Sequence, residues 1–239
     1  IDPVELGGAP FALAVDTSIE VRASEIGLDV NKGARVYILP CIAGHVGADA
    51  AGVVLAEAPQ KGEINTLVVD VGTNAEIVVG NSQRMLAASS PTGPAFEGAQ
   101  ISSGQRAAPG AIERIRIDKD TLEPRFQVIG VEEWSDEDGF DAAVQSTGIT
   151  GICGSGIIEV LAEMYINGIL STDGVIDGDV VARSPRIEQD GRTFSYRVSD
   201  NVVVTQNDVR AIQLAKAALH AGFRLLMDKM DLKRVDRVV

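Results

Sequence analysis

Residues 67 to 81 read LVVDVGTNAEIVVGN, and the fold turns on how this stretch is read. Two short runs of branched apolar residues flank Gly72, Thr73 and Asn74. That pattern predicts strands over Thr66 to Asp70 and Ala75 to Val79, joined by a glycine turn. The local chemistry leaves two readings open. One is an ordinary hairpin with a tolerant turn. The other is a hairpin that grips a phosphate. Glycine lets the backbone approach a ligand closely, and successive turn amides form an anion nest. Asp70, at the strand end, could then hold Mg2+ through water, because that ion keeps several waters and takes few protein ligands. Thr73 and Asn74 add side-chain donors. The motif is short and fits both readings.

Further strands surround this hairpin. RMLAASS (84–90) continues as a third strand, and GAIERIRID with PRFQVIGV (110–131) reads as a strand pair. Upstream, RVYIL (35–39) is a short strand ended by Pro40, and Gly44 to Glu57 reads as a helix. APQKGE (58–63) is a turn or hinge. Downstream, GICGSG (151–156) opens a helix that keeps Ile157, Ile158, Val160, Leu161, Met164 and Tyr165 on one apolar face until Gly168. RIEQDGRTFSYRV (186–198) is a hairpin with Asp190 and Gly191 as its turn. Thr205 and Asp208 start the clearest helix, with Val209, Ile212, Ala215, Leu219, Phe223, Leu226 and Met230 at three- and four-residue steps. Strands followed by covering helices give an α/β class.

Composition narrows the function. A chain of 239 residues is long enough for one large α/β domain or two small lobes. No apolar run reaches the ~18 residues that span a membrane. The first residues, IDPVELGGAP, lack the basic start and apolar core of a signal peptide. There is no initiator Met, and RVDRVV breaks off inside an expected strand, so the sequence reads as part of a longer chain. A net charge of −13 argues against nucleic acid as a partner. The two cysteines, Cys41 and Cys153, cannot ligate a cluster that needs four, and free thiols suit the cytoplasm.

Other stretches carry chemistry with alternatives attached. The glycines of GICGSG expose helix amides that attract phosphate, or they let a capped helix pack closely on a sheet, with Ser155 as its cap. Cys153 reads as a small packed residue. His45 and Asp49 lie in CIAGHVGADA, a loop entering a helix that either faces a cleft or is structural. Glu97, Gln105 and Arg106 sit among small residues, where Arg106 faces a phosphate, an acidic partner or only solvent. The acidic EEWSDEDGFD (132–141) fails the calcium-loop pattern.

The order of these pieces is more specific than any of them. LPCIAGHVGADA, VVDVGTNAEIVVGN, TGPAFEGAQISSGQRAAPGAIERI, GICGSGIIEVLAEM and TQNDVRAIQLAKAAL follow one another. This resembles the C-terminal ATPase part of the reductive activators of corrinoid proteins, members of the acetate and sugar kinase, Hsp70 and actin superfamily. The resemblance covers most of the chain and is weakest in the acidic loop and over residues 171–200. It implies a mixed sheet with covering helices and inserted hairpins in an RNase H-like lobe. Residues 1–60 would be the inter-lobe connection and the end of a first lobe, and residues 61–239 the second lobe. ATP and Mg2+ would be bound. Gly72, Thr73 and Asn74 would hold phosphate, with Asp70 on the Mg2+-bound water. Gly154, Ser155 and Gly156 would flank the nucleotide, and His45 and Asp49 would lie near the phosphates. Asp49 and Glu76 are the candidates for general base.

The resemblance also implies that the whole protein carries a [2Fe–2S] domain and uses ATP to drive electrons onto an inactive Co(II) corrinoid, restoring Co(I) in a methyltransferase system. The first phosphate hairpin, the adenosine motif and the cluster cysteines of such proteins are not in this sequence. This part alone is therefore expected to bind ATP weakly and to be inactive. The expected partner is a corrinoid protein or corrinoid methyltransferase, and a homodimer is a further expectation. Two alternatives stand beside this one: a small-molecule kinase of the same superfamily, and a non-catalytic module that docks a partner.

Overall fold

Unbroken apolar runs make strands that are covered on both faces. Leu67, Val68, Ile77, Val78 and Val79 are all buried, as that argument requires. The computed structural model describes Leu13 and residues 15–239; the reading of the first ten residues as lacking a leader lies outside them. In chain order the elements are β1 Ile19–Arg22, β2 Arg35–Ile38, α1 Ala48–Glu57, β3 Thr66–Val71, β4 Ala75–Gly80, β5 Met85–Ser90, β6 Ala111–Ile117 and β7 Pro124–Val128. There follow α2 Phe140–Val144, β8 Gly151–Ile152, α3 Gly154–Ile166, β9 Ile187–Asp190, β10 Thr193–Ser199, β11 Val202–Thr205, α4 Gln206–Lys229 and β12 Arg237–Val238.

The chain divides into two units. One takes the described residues through Ser90 together with Leu219–Val239; the other is Pro91–Ala218. The first holds the mixed sheet β12-β3-β4-β5, in which β12 runs parallel to β3 and the remaining pairs are antiparallel. Its core packs Leu67, Ile77 and Val79 against Leu226 and Met227 of α4, each buried side chain contributing roughly 1.5–3 kcal/mol. Strands β1 and β2 form a separate antiparallel pair.

The second unit has its own core around Ile112, Ile115, Ile152, Ile157, Met164 and Tyr196. It holds two three-stranded sheets, β7-β6-β8 and β11-β10-β9. Glu159 of α3 accepts hydrogen bonds from the Ile115 amide and from Arg116, at 2.8 and 2.9 Å. Burial alone would raise its pKa, but these bonds hold the carboxyl below the ordinary glutamate value. Tyr196 is buried, with its hydroxyl donated to the Leu122 carbonyl at 2.8 Å, and burial pushes the phenol pKa up.

Thr205 and Asp208 start α4 as the sequence predicts. The Thr205 amide donates to Asp208 at 2.8 Å, and the Asp208 amide donates to the Thr205 hydroxyl at 3.2 Å. Asp208 is 1% exposed and also accepts from the Ser102 amide and hydroxyl, at 2.7 and 3.1 Å. Asp208→Ala removes the shared acceptor of these partly buried donors and the cap of α4, so a loss of about 1–3 kcal/mol is expected, read as a lower urea midpoint for unfolding.

Four readings of the chain change. Ile158 and Tyr165 fall off the buried face of α3: both are exposed, while Ile157, Val160, Leu161 and Met164 recur at three- and four-residue steps and are buried. The hairpin at 187–199 pairs Asp190 with Thr193, so its two-residue turn is Gly191 and Arg192, not Asp190 and Gly191. Gly191 has φ +61°, a left-handed value that glycine adopts freely. The helix expected from Gly44 begins at Ala48, because Ala43 and Val46 bridge around Gly44 and His45 and Gly47 is extended. The short strands β1, β8 and β11 carried too little pattern to be read.

Candidate functional site

Val71 pairs with Ala75, so Gly72, Thr73 and Asn74 form a three-residue loop. The Gly72 amide donates to the Asn74 carbonyl at 3.0 Å. That donor is therefore spent inside the turn, and the nest offers one amide fewer than the sequence suggests.

Below the loop, register decides what meets. Asp70 lies directly opposite Glu76, and Glu76 directly opposite Ser89 on β5. Directly opposite residues share one face of a sheet, with Cβ atoms about 4.5–5.5 Å apart. Leu67, Val69, Ile77 and Val79 point to the α4 side. Asp70, Glu76 and Ser89 point to the other, beyond the buried Val68 and Val78. Ser89 Oγ donates to Glu76 Oε1 at 3.0 Å. The half-buried Asp70 carboxylate takes no hydrogen bond or ion pair from another described residue.

The connector residues belong to the same unit. Helix α1 packs against β3. Asp49 lies in its first turn, where a carboxylate suits the helix dipole, and its Oδ1 accepts from the Ala50 amide at 2.8 Å. His45 is exposed, in the tight turn before α1.

Gly154, Ser155 and Gly156 lie in the second unit, at the start of α3. The cap position there is Cys153, not Ser155. Cys153 is 1% exposed, with its sulfur donating to the Ile112 carbonyl at 3.4 Å and lying 3.2 Å from Ser155 Oγ. A Cβ on Gly154 would collide with the Phe96 carbonyl oxygen, and one on Gly156 with that of Ile112. These two glycines therefore have a packing reason that needs no ligand. Arg106 is exposed.

The donor set of the hairpin fits Mg2+ and phosphate. Two carboxylates directly opposite one another repel, and a cation between or beside them relieves that repulsion. The described residues hold no cluster of three metal-ligating side chains, so water would complete the shell, as Mg2+ prefers. An iron–sulfur cluster does not fit: the chain has two cysteines, one of them buried against Ile112. No described helix is long and apolar enough to cross a membrane.

Comparison with known families places this geometry in a class, the actin- and Hsp70-like ASKHA fold. Residues 64–239 match the family described as the C-terminal domain of RACo, the ASKHA domain, and residues 1–61 match the RACo middle region. The chain belongs to this family. Corrinoid activation enzyme RamQ of Eubacterium limosum is 31% identical over 249 residues, covering 99% of this chain and 39% of that protein. The "[Co(II) methylated amine-specific corrinoid protein] reductase" of Methanosarcina barkeri is 28% identical over 227 residues, covering 90% and 38%. A solved structure, "Reductive activator for corrinoid,iron-sulfur protein", superposes with a TM-score of 0.79 at 32% identity, over 100% of this chain and 37% of that one. The chain spans less than two fifths of the length of these relatives.

Proposed function

We propose that this chain is the ATP-binding and hydrolysing part of a reductive activator that restores Co(I) in corrinoid proteins of methyltransferase systems. One observation supports this most: a hairpin in an ASKHA chain with a half-buried Asp70 carboxylate close to its loop, taking no hydrogen bond or ion pair from a described residue and directly opposite Glu76. Asp70 is the residue that would hold a water of bound Mg2+. Asn74, with Thr73 beside it at the loop tip, donates to phosphate oxygens. Glu76 and Asp49 are the carboxylates available to take the proton of the attacking water. Bound Mg2+ would supply positive charge to the phosphate oxygens. His45 lies near the phosphates.

Residues 1–60 are the connection and the end of a first lobe, and residues 61–239 are the second. The electrons come from an iron–sulfur domain carried elsewhere in the whole protein, whose ligands are not among this chain's residues. The protein works in the cytoplasm on a corrinoid protein or corrinoid methyltransferase, as a homodimer. The test is ATP turnover by the whole protein, titrated with a Co(II) corrinoid protein. Turnover should rise at least about tenfold on addition of that partner, a barrier change near 1.4 kcal/mol. Turnover that ignores the corrinoid protein and instead follows a small-molecule phosphate acceptor would make the chain a kinase.

A further inference from the structure

Asp49 and Glu76 differ in how they are held. One Asp49 oxygen is committed to the amide of its own helix, at 2.8 Å, so this carboxylate already has a structural task at the start of α1. Glu76 is half-buried between Asp70 and Ser89 in a continuous cross-strand row. Its one hydrogen bond among the described residues comes from Ser89 Oγ, at 3.0 Å to Oε1. No Lys, Arg or His pairs with it there. A single neutral donor fixes the carboxylate's orientation and leaves acceptor capacity on both oxygens.

From this row we infer that Glu76 is the base and that Ser89, on the neighbouring strand, is its positioning residue. The inference rests on the ATPase reading above and deepens it. Glu76 accepts a proton from water. The water oxygen forms a bond to the terminal phosphorus as the P–O bond to the ADP leaving group breaks, giving ADP and inorganic phosphate. Ser89 touches neither water nor phosphate. Its hydroxyl selects the Glu76 rotamer that faces the attacking water, so its loss affects the chemical step and not nucleotide affinity.

The experiment is a double-mutant cycle in the whole protein with its corrinoid partner, using Ser89→Ala, Ser89→Thr, Glu76→Gln and the Ser89→Ala/Glu76→Gln pair. Thermal midpoints verify that each variant is folded. Ser89→Ala should lower kcat about tenfold with KM for ATP unchanged, and Ser89→Thr, which keeps the hydroxyl, should stay within about threefold of wild type. Glu76→Gln should lose about 10²-fold or more. In the Glu76→Gln background, Ser89→Ala should cost nothing further. The inference is overturned if Ser89→Ala keeps full kcat, if Ser89→Thr is as slow as Ser89→Ala, or if the two losses multiply. A wild-type protein without ATP turnover removes the ATPase reading, and this inference with it. Normal wild-type turnover with an indifferent Ser89 removes this inference alone.

Discussion

Replacing Asp70 by alanine in the whole protein is expected to lower ATP turnover by about 10²- to 10³-fold, the cost of losing one preorganised electrostatic group at a reacting phosphate. Stability should barely change. The Asp70 carboxylate makes no hydrogen bond or ion pair with a described residue, and it faces Glu76 across the hairpin. Its removal breaks no hydrogen bond or ion pair among the described residues and relieves a like-charge pair. An exposed or half-exposed change of this kind stays within about 0.5 kcal/mol. The contrast between a large kinetic loss and an unmoved thermal midpoint marks a functional carboxylate. Asp70→Ala with ordinary turnover would remove Asp70 from the site.

The other large effect is purely structural. Glycine to alanine in an exposed helix normally gains up to about 1 kcal/mol from helix propensity. At Gly154 the sign should reverse, because the added methyl meets the Phe96 carbonyl oxygen, a backbone atom that cannot rotate away. The start of α3 must shift, and overpacking of this sort costs about 1–3 kcal/mol and occasionally more. Gly154→Ala should therefore unfold at lower urea with an unchanged slope. Gly156 meets the Ile112 carbonyl in the same way. A Gly154→Ala protein as stable as wild type would show that α3 does not sit this close to Phe96.

The parts of the fold that could be read from sequence are those with a local cause. Branched runs around Gly72 gave both hairpin strands to within a residue. The Thr205 and Asp208 pair gave the start of α4, and its apolar steps gave the buried face. What escaped depends on distant partners. Strand β8 is two residues long and exists because Ala111 and Ile112 pair with it. The turn at Gly191 is placed by the pairing of Asp190 with Thr193, which an Asp-Gly signal alone shifts by one residue. The division between the units passes through the middle of α4, between Ala218 and Leu219, where helical periodicity does not change.

The candidate site shows the same split. Asp70 and the loop are conspicuous in sequence, whereas the opposition of Glu76 and Ser89 appears only once β4 and β5 are in register. GICGSG looked like a phosphate signal or a packing signal, and the carbonyls of Phe96 and Ile112 supply the packing cause. Backbone approach between segments about fifty residues apart leaves no local trace except the glycine itself.

The most direct measurement is the oxidation state of the corrinoid partner. The whole protein, a Co(II) corrinoid protein and a reductant are mixed with and without ATP, and Co(I) is followed by its visible absorbance. The ATPase account predicts that Co(I) accumulates with ATP and wild-type protein, and that omitting ATP or replacing Asp70 with alanine prevents it. Equal Co(I) formation without ATP, or by the Asp70→Ala protein, would contradict the account.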